Sequence, residues 1–253
     1  MSHAPLAGAW QRRARPLLGT LVEIGVAADD DTCGHATLEA AFAVVEQVQA
    51  CLSRFAADSD VARFHALRRG DSLTLRRAAL DVLTAACELQ RASHGAFDIS
   101  LGSAPLGWSV EGDRLIKLSD DVRLDLGGIG KGYAVDCAVE ALIAQGVRSG
   151  WVNAGGDLRA FGAAELSIQL RDERAGGVRP FASLHDAAFA TSRFDRRSRS
   201  RLARGNGAPG ASAHVSVAAT RCLWADALTK IVAVSGDTAH PLLARYGASA
   251  WQH

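Results

Sequence analysis

The stretch Leu124-Asp125-Leu126-Gly127-Gly128-Ile129-Gly130-Lys131-Gly132-Tyr133-Ala134-Val135-Asp136 constrains the fold most, because it reads as a strand, a glycine-rich turn and a helix start carrying a lysine. Such a turn can bring backbone N–H groups and one cation against a phosphorylated ligand. Val135, Val139, Leu142 and Ile143 then follow helical spacing, and Gly146 stands where a helix would stop. Two familiar phosphate loops fail against it. A Walker loop needs glycine where Asp125 stands and Ser or Thr where Gly132 stands, and the dinucleotide fingerprint needs glycine where Tyr133 stands. On these residues alone, a tight turn with a solvated lysine stays open beside the nucleotide reading.

Elsewhere the pattern is that of an α+β chain. Residues 20 to 26 alternate as a strand, and Leu38, Phe42, Val45, Val48 and Leu52 mark an amphipathic helix. A second helix is predicted over 77 to 93, closed by Gly95. Strands are predicted at 121 to 126, 148 to 154, 157 to 161, 165 to 171, 181 to 184 and 214 to 218, with helices at 224 to 235 and 238 to 246. Residues 1 to 15 read as a flexible N-terminal segment and 16 to 253 as one domain, a length at which 48% hydrophobic residues bury a sizeable core. The net charge of +1, from 28 basic and 27 acidic residues, gives no global case for nucleic acid or an anionic membrane. No run of about 18 apolar residues is present, so no transmembrane segment is expected. Cys33, Cys51, Cys87, Cys137 and Cys222 are odd in number and lack C-x-x-C spacing, which points to reduced thiols and a cytoplasmic chain.

The glycine-rich stretch resembles the central motif of the ApbE family of flavin transferases. Four further segments resemble that family in its order: Leu18-Gly19-Thr20 with Leu21-Val22-Glu23-Ile24, Phe97-Asp98-Ile99-Ser100-Leu101-Gly102, Trp151 to Asp157, and Ala225-Asp226-Ala227-Leu228-Thr229-Lys230. Ser53-Arg54-Phe55 and Ala190-Thr191-Ser192 are weaker matches. The resemblance implies a single T-fold-related α+β domain with mixed or antiparallel sheets and packed helices. It also implies an activity: splitting FAD at its pyrophosphate, passing FMN to a Ser or Thr hydroxyl of an acceptor flavoprotein, and releasing AMP, with Mg²⁺ neutralising phosphate charge.

By the same resemblance, Asp125 contacts the dinucleotide, Lys131 lies beside it, and Leu18, Gly19, Thr20, Asp98, Gly107, Trp108, Thr191 and Ser192 surround the cofactor. Asp226, the Gly128 carbonyl and Thr229 are the implied metal donors, and Asp226 and Lys230 the implied catalytic pair. Each residue also has a plain reading. Asp125 can cap its turn, Asp98 can be an ordinary loop carboxylate, Trp108 a packed aromatic, and Asp226 an acid in the first helical turn.

Two departures from the family bear on activity, beside the mild change that puts Leu18 where a methionine is usual. The metal-binding threonine expected four residues after Asp226 is Lys230, with Thr229 one position earlier and about 100° round the helix. Lys230 can pair with Asp226 at i,i+4, which on an exposed helix contributes about 0.3–0.5 kcal/mol. It can displace the ion, or it can assist phosphate while Asp226 and Gly128 keep Mg²⁺; the second arrangement is expected, since Mg²⁺ readily retains waters. The family's H-x-x-D-P-x-T-G segment is replaced by an arginine-rich run, Arg193, Arg196, Arg197, Arg199, Arg201 and Arg204, read as a surface loop or an anion clamp. A catalytically impaired FAD carrier and a FAD pyrophosphatase are therefore the alternatives. The short stretch after Tyr246 leaves little room for the terminal strand of longer relatives.

Overall fold

The computed structural model describes residues 3–5, 10–27, 35–171, 176–194, 202 and 214–253. The first half holds β1 (His3–Pro5), β2 (Trp10–Leu17), β3 (Thr20–Ala27), α1 (His35–Leu52), α2 (Asp60–Ala66), β4 (Ser72–Thr74), α3 (Arg77–Ala92), β5 (Trp108–Glu111) and β6 (Arg114–Lys117). After it come α4 (Gly130–Ala144), β7 (Gly150–Ala154), β8 (Asp157–Phe161), β9 (Glu165–Arg171), β10 (Val178–His185) and β11 (Ala188–Arg193). The chain continues with β12 (His214–Ala219), α5 (Cys222–Ser235), α6 (Pro241–Arg245) and β13 (Ser249–Gln252).

A seven-stranded sheet in the order β13-β12-β11-β8-β7-β3-β2 forms the centre, every neighbouring pair antiparallel. Its two faces are covered differently because its strands bury both sets of alternating side chains. Val22, Ile24, Val26 and Val152 face the helices, where α4 packs against α1, α5, β7 and β8. On the other face Trp151, Leu158, Ala160 and Phe189 meet Leu166, Ile168 and Leu184 of the three-stranded sheet β1-β9-β10. A third sheet, β4-β6-β5, completes the fold.

The helix that follows the glycine-rich stretch is buried on nearly every side, so its first turn must be slim. A Cβ on Gly132 would lie 2.2 Å from the Cys222 carbonyl oxygen and 2.9 Å from Asp226 Cβ, so glycine lets α4 and α5 approach closely at that point. Asp136, fully buried on α4, accepts hydrogen bonds from the backbone N–H groups of Cys222 and Leu223, both at 3.0 Å. A side chain of one helix thus caps the N-terminus of the next, which fixes the element that carries Asp226.

Several expectations are corrected. Residues 10 to 15, expected to be flexible, lie in edge strand β2, paired to β3 from Trp10↔Ala27 to Leu17↔Thr20. The exposed Arg12 and Arg13 hid it, since polar residues on an edge strand erase the alternation that sequence reading looks for. Residues 121 to 126 bury Val122, Leu124 and Leu126 as a strand would, yet form no ladder. Their N–H groups go instead to Ser103 Oγ (from Arg123, 3.1 Å), His65 Nε2 (from Leu124, 2.8 Å) and the Ile99 carbonyl (from Asp125, 2.8 Å). The last helix is only Pro241–Arg245, and the terminal strand is present as β13, paired with β12. Ile143 is 48% exposed, off the buried face of α4. Beyond Arg193, the arginines of the run lie outside the described residues.

Candidate active site

Two tight hairpin turns and the glycine-rich loop meet at one end of the central sheet. Leu18 (φ 55°) and Gly19 (φ 71°) join β2 to β3 in a two-residue turn whose central positions both have positive φ. Gly155 and Gly156 turn β7 into β8, and Thr20 fills the place of the missing Gly155 Cβ, which would lie 2.2 Å from Thr20 Oγ1. Between Leu18, Gly19, Arg54, Asp125, Gly127 and Lys131 opens a cleft of about 420 Å³. A second hollow of about 530 Å³ adjoins it, sharing Arg54, Phe55 and Asp125 and adding His65, Ser100 and Arg123. Arg54 spans the boundary, 3.6 Å from Asp125 and 4.6 Å above the ring of Phe55, itself 84% exposed.

The cleft ends on a cluster of buried charge. Lys131, in the first turn of α4, hydrogen-bonds Asp157 of β8 and lies 3.6 Å from Asp226 of α5. Asp226 also accepts from the Gly132 N–H (3.2 Å) and pairs with Lys230. The Lys230 Nζ donates further to the Asp226 carbonyl (2.9 Å) and to Ser192 Oγ (3.2 Å). Thr229 Oγ1 lies 2.6 Å from that carbonyl and 3.0 Å from Ser192 Oγ. Two carboxylates face two ammonium groups, so the cluster is neutral. The lysines differ in reach: 31% of the Lys131 side chain is exposed and it lines the cleft, whereas 6% of Lys230 is exposed, its stem under Gly128.

The electrostatics follow from that packing. Burial opposes the charge on Asp226, but Lys131, Lys230 and the Gly132 N–H outweigh it and hold the carboxyl below its usual range. Burial, with Asp226 beside it, pushes the Asp157 carboxyl up against the pull of Lys131. Lys131 loses solvation too, yet Asp157 and Asp226 raise its pKa and keep it an ammonium.

Of the residues expected at the site, Leu18, Gly19, Asp125 and Lys131 line the first cleft, and Gly128, Ser192, Asp226, Thr229 and Lys230 meet behind it. Others sit elsewhere. Asp98 spends its carboxylate on its own loop, accepting from the Ser100 N–H (2.8 Å), Ser100 Oγ (2.9 Å) and the Gly102 N–H (3.0 Å). Trp108 is 6% exposed in the core and lines neither cleft. Gly107 serves packing, since a Cβ there would come within 2.8 Å of Ala104 and 2.9 Å of Val122. Thr191 points to the opposite face of β11 from Ser192 and bonds Ser216 at 2.6 Å, as strand alternation requires. Asp125 lines the cleft and, as its plain reading has it, caps its turn by accepting from the Gly127 N–H at 2.8 Å. Asp157 was missed, although it closes the Trp151–Asp157 segment; a glycine turn before an acid at a strand start was the available signal.

His65 holds the loop that carries Asp125, and its Nε2 can accept from Leu124 only when unprotonated. Burial, with Arg123, Lys117 and Arg54 nearby, lowers its pKa. The unfolded chain therefore binds more protons below about pH 6.5, and this contribution to stability, complete above that value, is lost as the pH falls toward the folded pKa. Urea unfolding is expected to show stability decreasing from about pH 7 to about pH 5, with a shallower decrease in His65→Gln. An identical slope in the variant would assign the titration to other groups.

The class defined by the fold and site is an antiparallel α+β domain whose glycine-framed cleft ends on a lysine paired with buried carboxylates. The ApbE family model matches residues 18–114 and 106–250, and the chain belongs to that family. It is similar to the FAD:protein FMN transferase of Treponema pallidum (strain Nichols), 26% identical over 229 residues, covering 71% of this chain and 63% of that one. It is likewise similar to the FAD:protein FMN transferase of Vibrio cholerae serotype O1, 23% identical over 215 residues, covering 70% and 64%. The chain thus spans less than two thirds of the length of these curated relatives. Among solved structures, the apo form of Pseudomonas stutzeri flavinyl transferase ApbE superposes with a TM-score of 0.80 at 27% identity, covering 96% of this chain and 90% of that one.

Proposed function

We propose that this chain is an FAD:protein FMN transferase, taking FAD as donor and moving FMN to a Ser or Thr hydroxyl of an acceptor protein with release of AMP. The observation that carries the reading is Lys131, an ammonium locked between Asp157 and Asp226 at the end of the cleft framed by Leu18, Gly19 and Gly127. A preorganised cation of this kind favours the charge that builds on a phosphoryl group during transfer. The two FAD:protein FMN transferases to which the chain is similar support the same reading. A cytoplasmic setting belongs to the proposal; the four described cysteines, Cys51, Cys87, Cys137 and Cys222, are free thiols, and no described helix is long and apolar enough to cross a membrane.

The divalent ion implied by the family resemblance would neutralise phosphate charge when bound. The residues present do not fit it. A cation already stands there: Lys230 donates to Asp226 Oδ1 and the Asp226 carbonyl, the Gly132 N–H donates to Oδ2, and the Thr229 hydroxyl lies against the Asp226 carbonyl and Ser192. Among the described residues no group of three or more His, Cys, Asp or Glu side chains is gathered for a metal.

The test is incubation with FAD, with and without candidate acceptors bearing a modifiable Ser or Thr. Transfer yields AMP and a flavin that stays on the acceptor after denaturation. AMP with free FMN would make the chain a pyrophosphatase, and intact FAD a carrier. Lys131→Ala is expected to weaken FAD binding by about 1.5–3 kcal/mol, the scale of a charge-assisted bond, in an equilibrium flavin-fluorescence titration.

A further inference from the structure

We infer that the Lys230 ammonium is a built-in cation that fills the place where Asp226 would otherwise hold a divalent ion, so that ligand binding at this site neither needs nor admits one. The inference rests on the family's implied metal, and in its consequences for FAD on the function proposed above.

Geometry carries it. Lys230 Nζ makes three contacts to oxygen, with the Asp226 carboxylate, the Asp226 carbonyl at 2.9 Å and Ser192 Oγ at 3.2 Å, which is the oxygen-rich setting a hard cation seeks. An ion binding the same carboxylate oxygen at about 2.1 Å would share it with the ammonium, setting two cations on one oxygen at mutual repulsion. Lys230 is packed in place, its side chain 6% exposed and its Cε so close under Gly128 that a Cβ there would lie 3.1 Å from it.

The charge count agrees. With Lys230 the cluster of Asp157, Asp226, Lys131 and Lys230 is neutral; without it, one negative charge is left for an external cation to balance. In the ligand-free protein, a doubly charged ion added to the neutral cluster would leave two uncompensated positive charges in a buried site, which costs more than it gains. Lys230 is therefore a positioning residue. It does not line the cleft, and it fixes Asp226, which in turn faces Lys131 at the cleft end.

Mn²⁺ binding to the chelator-treated protein, followed by electron paramagnetic resonance, tests the inference without flavin. The wild-type chain is expected to take up no Mn²⁺, and Lys230→Thr to take up one ion per chain. In parallel, the FAD affinity of the wild type is expected to be the same in chelator and in Mg²⁺, while that of Lys230→Thr rises roughly tenfold or more with Mg²⁺. Stoichiometric Mn²⁺ uptake by the wild type, or a wild-type FAD affinity that rises roughly tenfold with Mg²⁺, overturns the inference. Should Lys230→Thr fail to fold, the wild-type Mn²⁺ measurement decides alone. Absence of FAD binding under every condition would sink the transferase reading, and the Mn²⁺ comparison would still decide this one.

Discussion

Asp136→Ala is expected to lower the stability of the folded chain by about 3–5 kcal/mol, the cost of breaking a buried charge pair. Its carboxylate is fully buried and serves four groups at once. The Cys222 and Leu223 N–H groups donate to it at 3.0 Å, Arg159 Nη1 at 2.8 Å, and Arg221 Nε lies 3.4 Å away. Alanine leaves the first turn of α5 uncapped and the Arg159 guanidinium, only 20% exposed, without its counter-charge. For a domain of this size such a loss corresponds to a melting temperature lower by roughly 6–20 °C. Chemical denaturation measures it directly. A change below about 1 kcal/mol would mean that water replaces all four contacts.

Asp226→Asn is expected to reduce FMN transfer by about a hundredfold to a thousandfold, the scale of losing a preorganised charge-stabilising contact. The shape of the side chain survives while its charge does not. Lys131 then answers to Asp157 alone, and Lys230 is left buried with only neutral partners. The same change is expected to destabilise the fold, and Asp226→Asn combined with Lys230→Met to recover most of that stability, because removing both members of a buried pair costs far less than removing one. Activity stays low in the double variant, since Lys131 is still unanchored on that side. Single-turnover assays beside thermal melts separate the two effects. Wild-type turnover in Asp226→Asn would remove this residue from the working part of the site.

The sequence made the frame legible wherever local rules decide structure. Helical spacing located α1 and α3, alternation located β3, and the glycine-rich stretch marked the start of α4 because glycine is what close helix contact demands. Partners far apart along the chain were not legible. Lys131 meets Asp157 across 26 positions, and Asp136 caps α5 from 86 and 87 positions away, and no periodicity encodes either pairing. The i,i+4 spacing of Asp226 and Lys230 did announce an ion pair, but not its burial, which changes it from a minor surface contact into a buried charge pair. Asp98 shows the converse: its plain reading as a loop carboxylate is what the structure displays. Trp108, similarly, is a packed aromatic because β5 turns it into the core.

The central claim is that a cleft ending on Lys131 transfers FMN from FAD to a protein hydroxyl with Lys230 in place of a metal ion. Intact-mass spectrometry of an acceptor protein, after incubation with the chain and FAD in excess chelator, tests it most directly. The account requires an acceptor heavier by one FMN and an equal amount of AMP in the same reaction, both strongly reduced with Lys131→Ala. Transfer that occurs only when Mg²⁺ is restored, or FAD recovered intact under every condition, would contradict it.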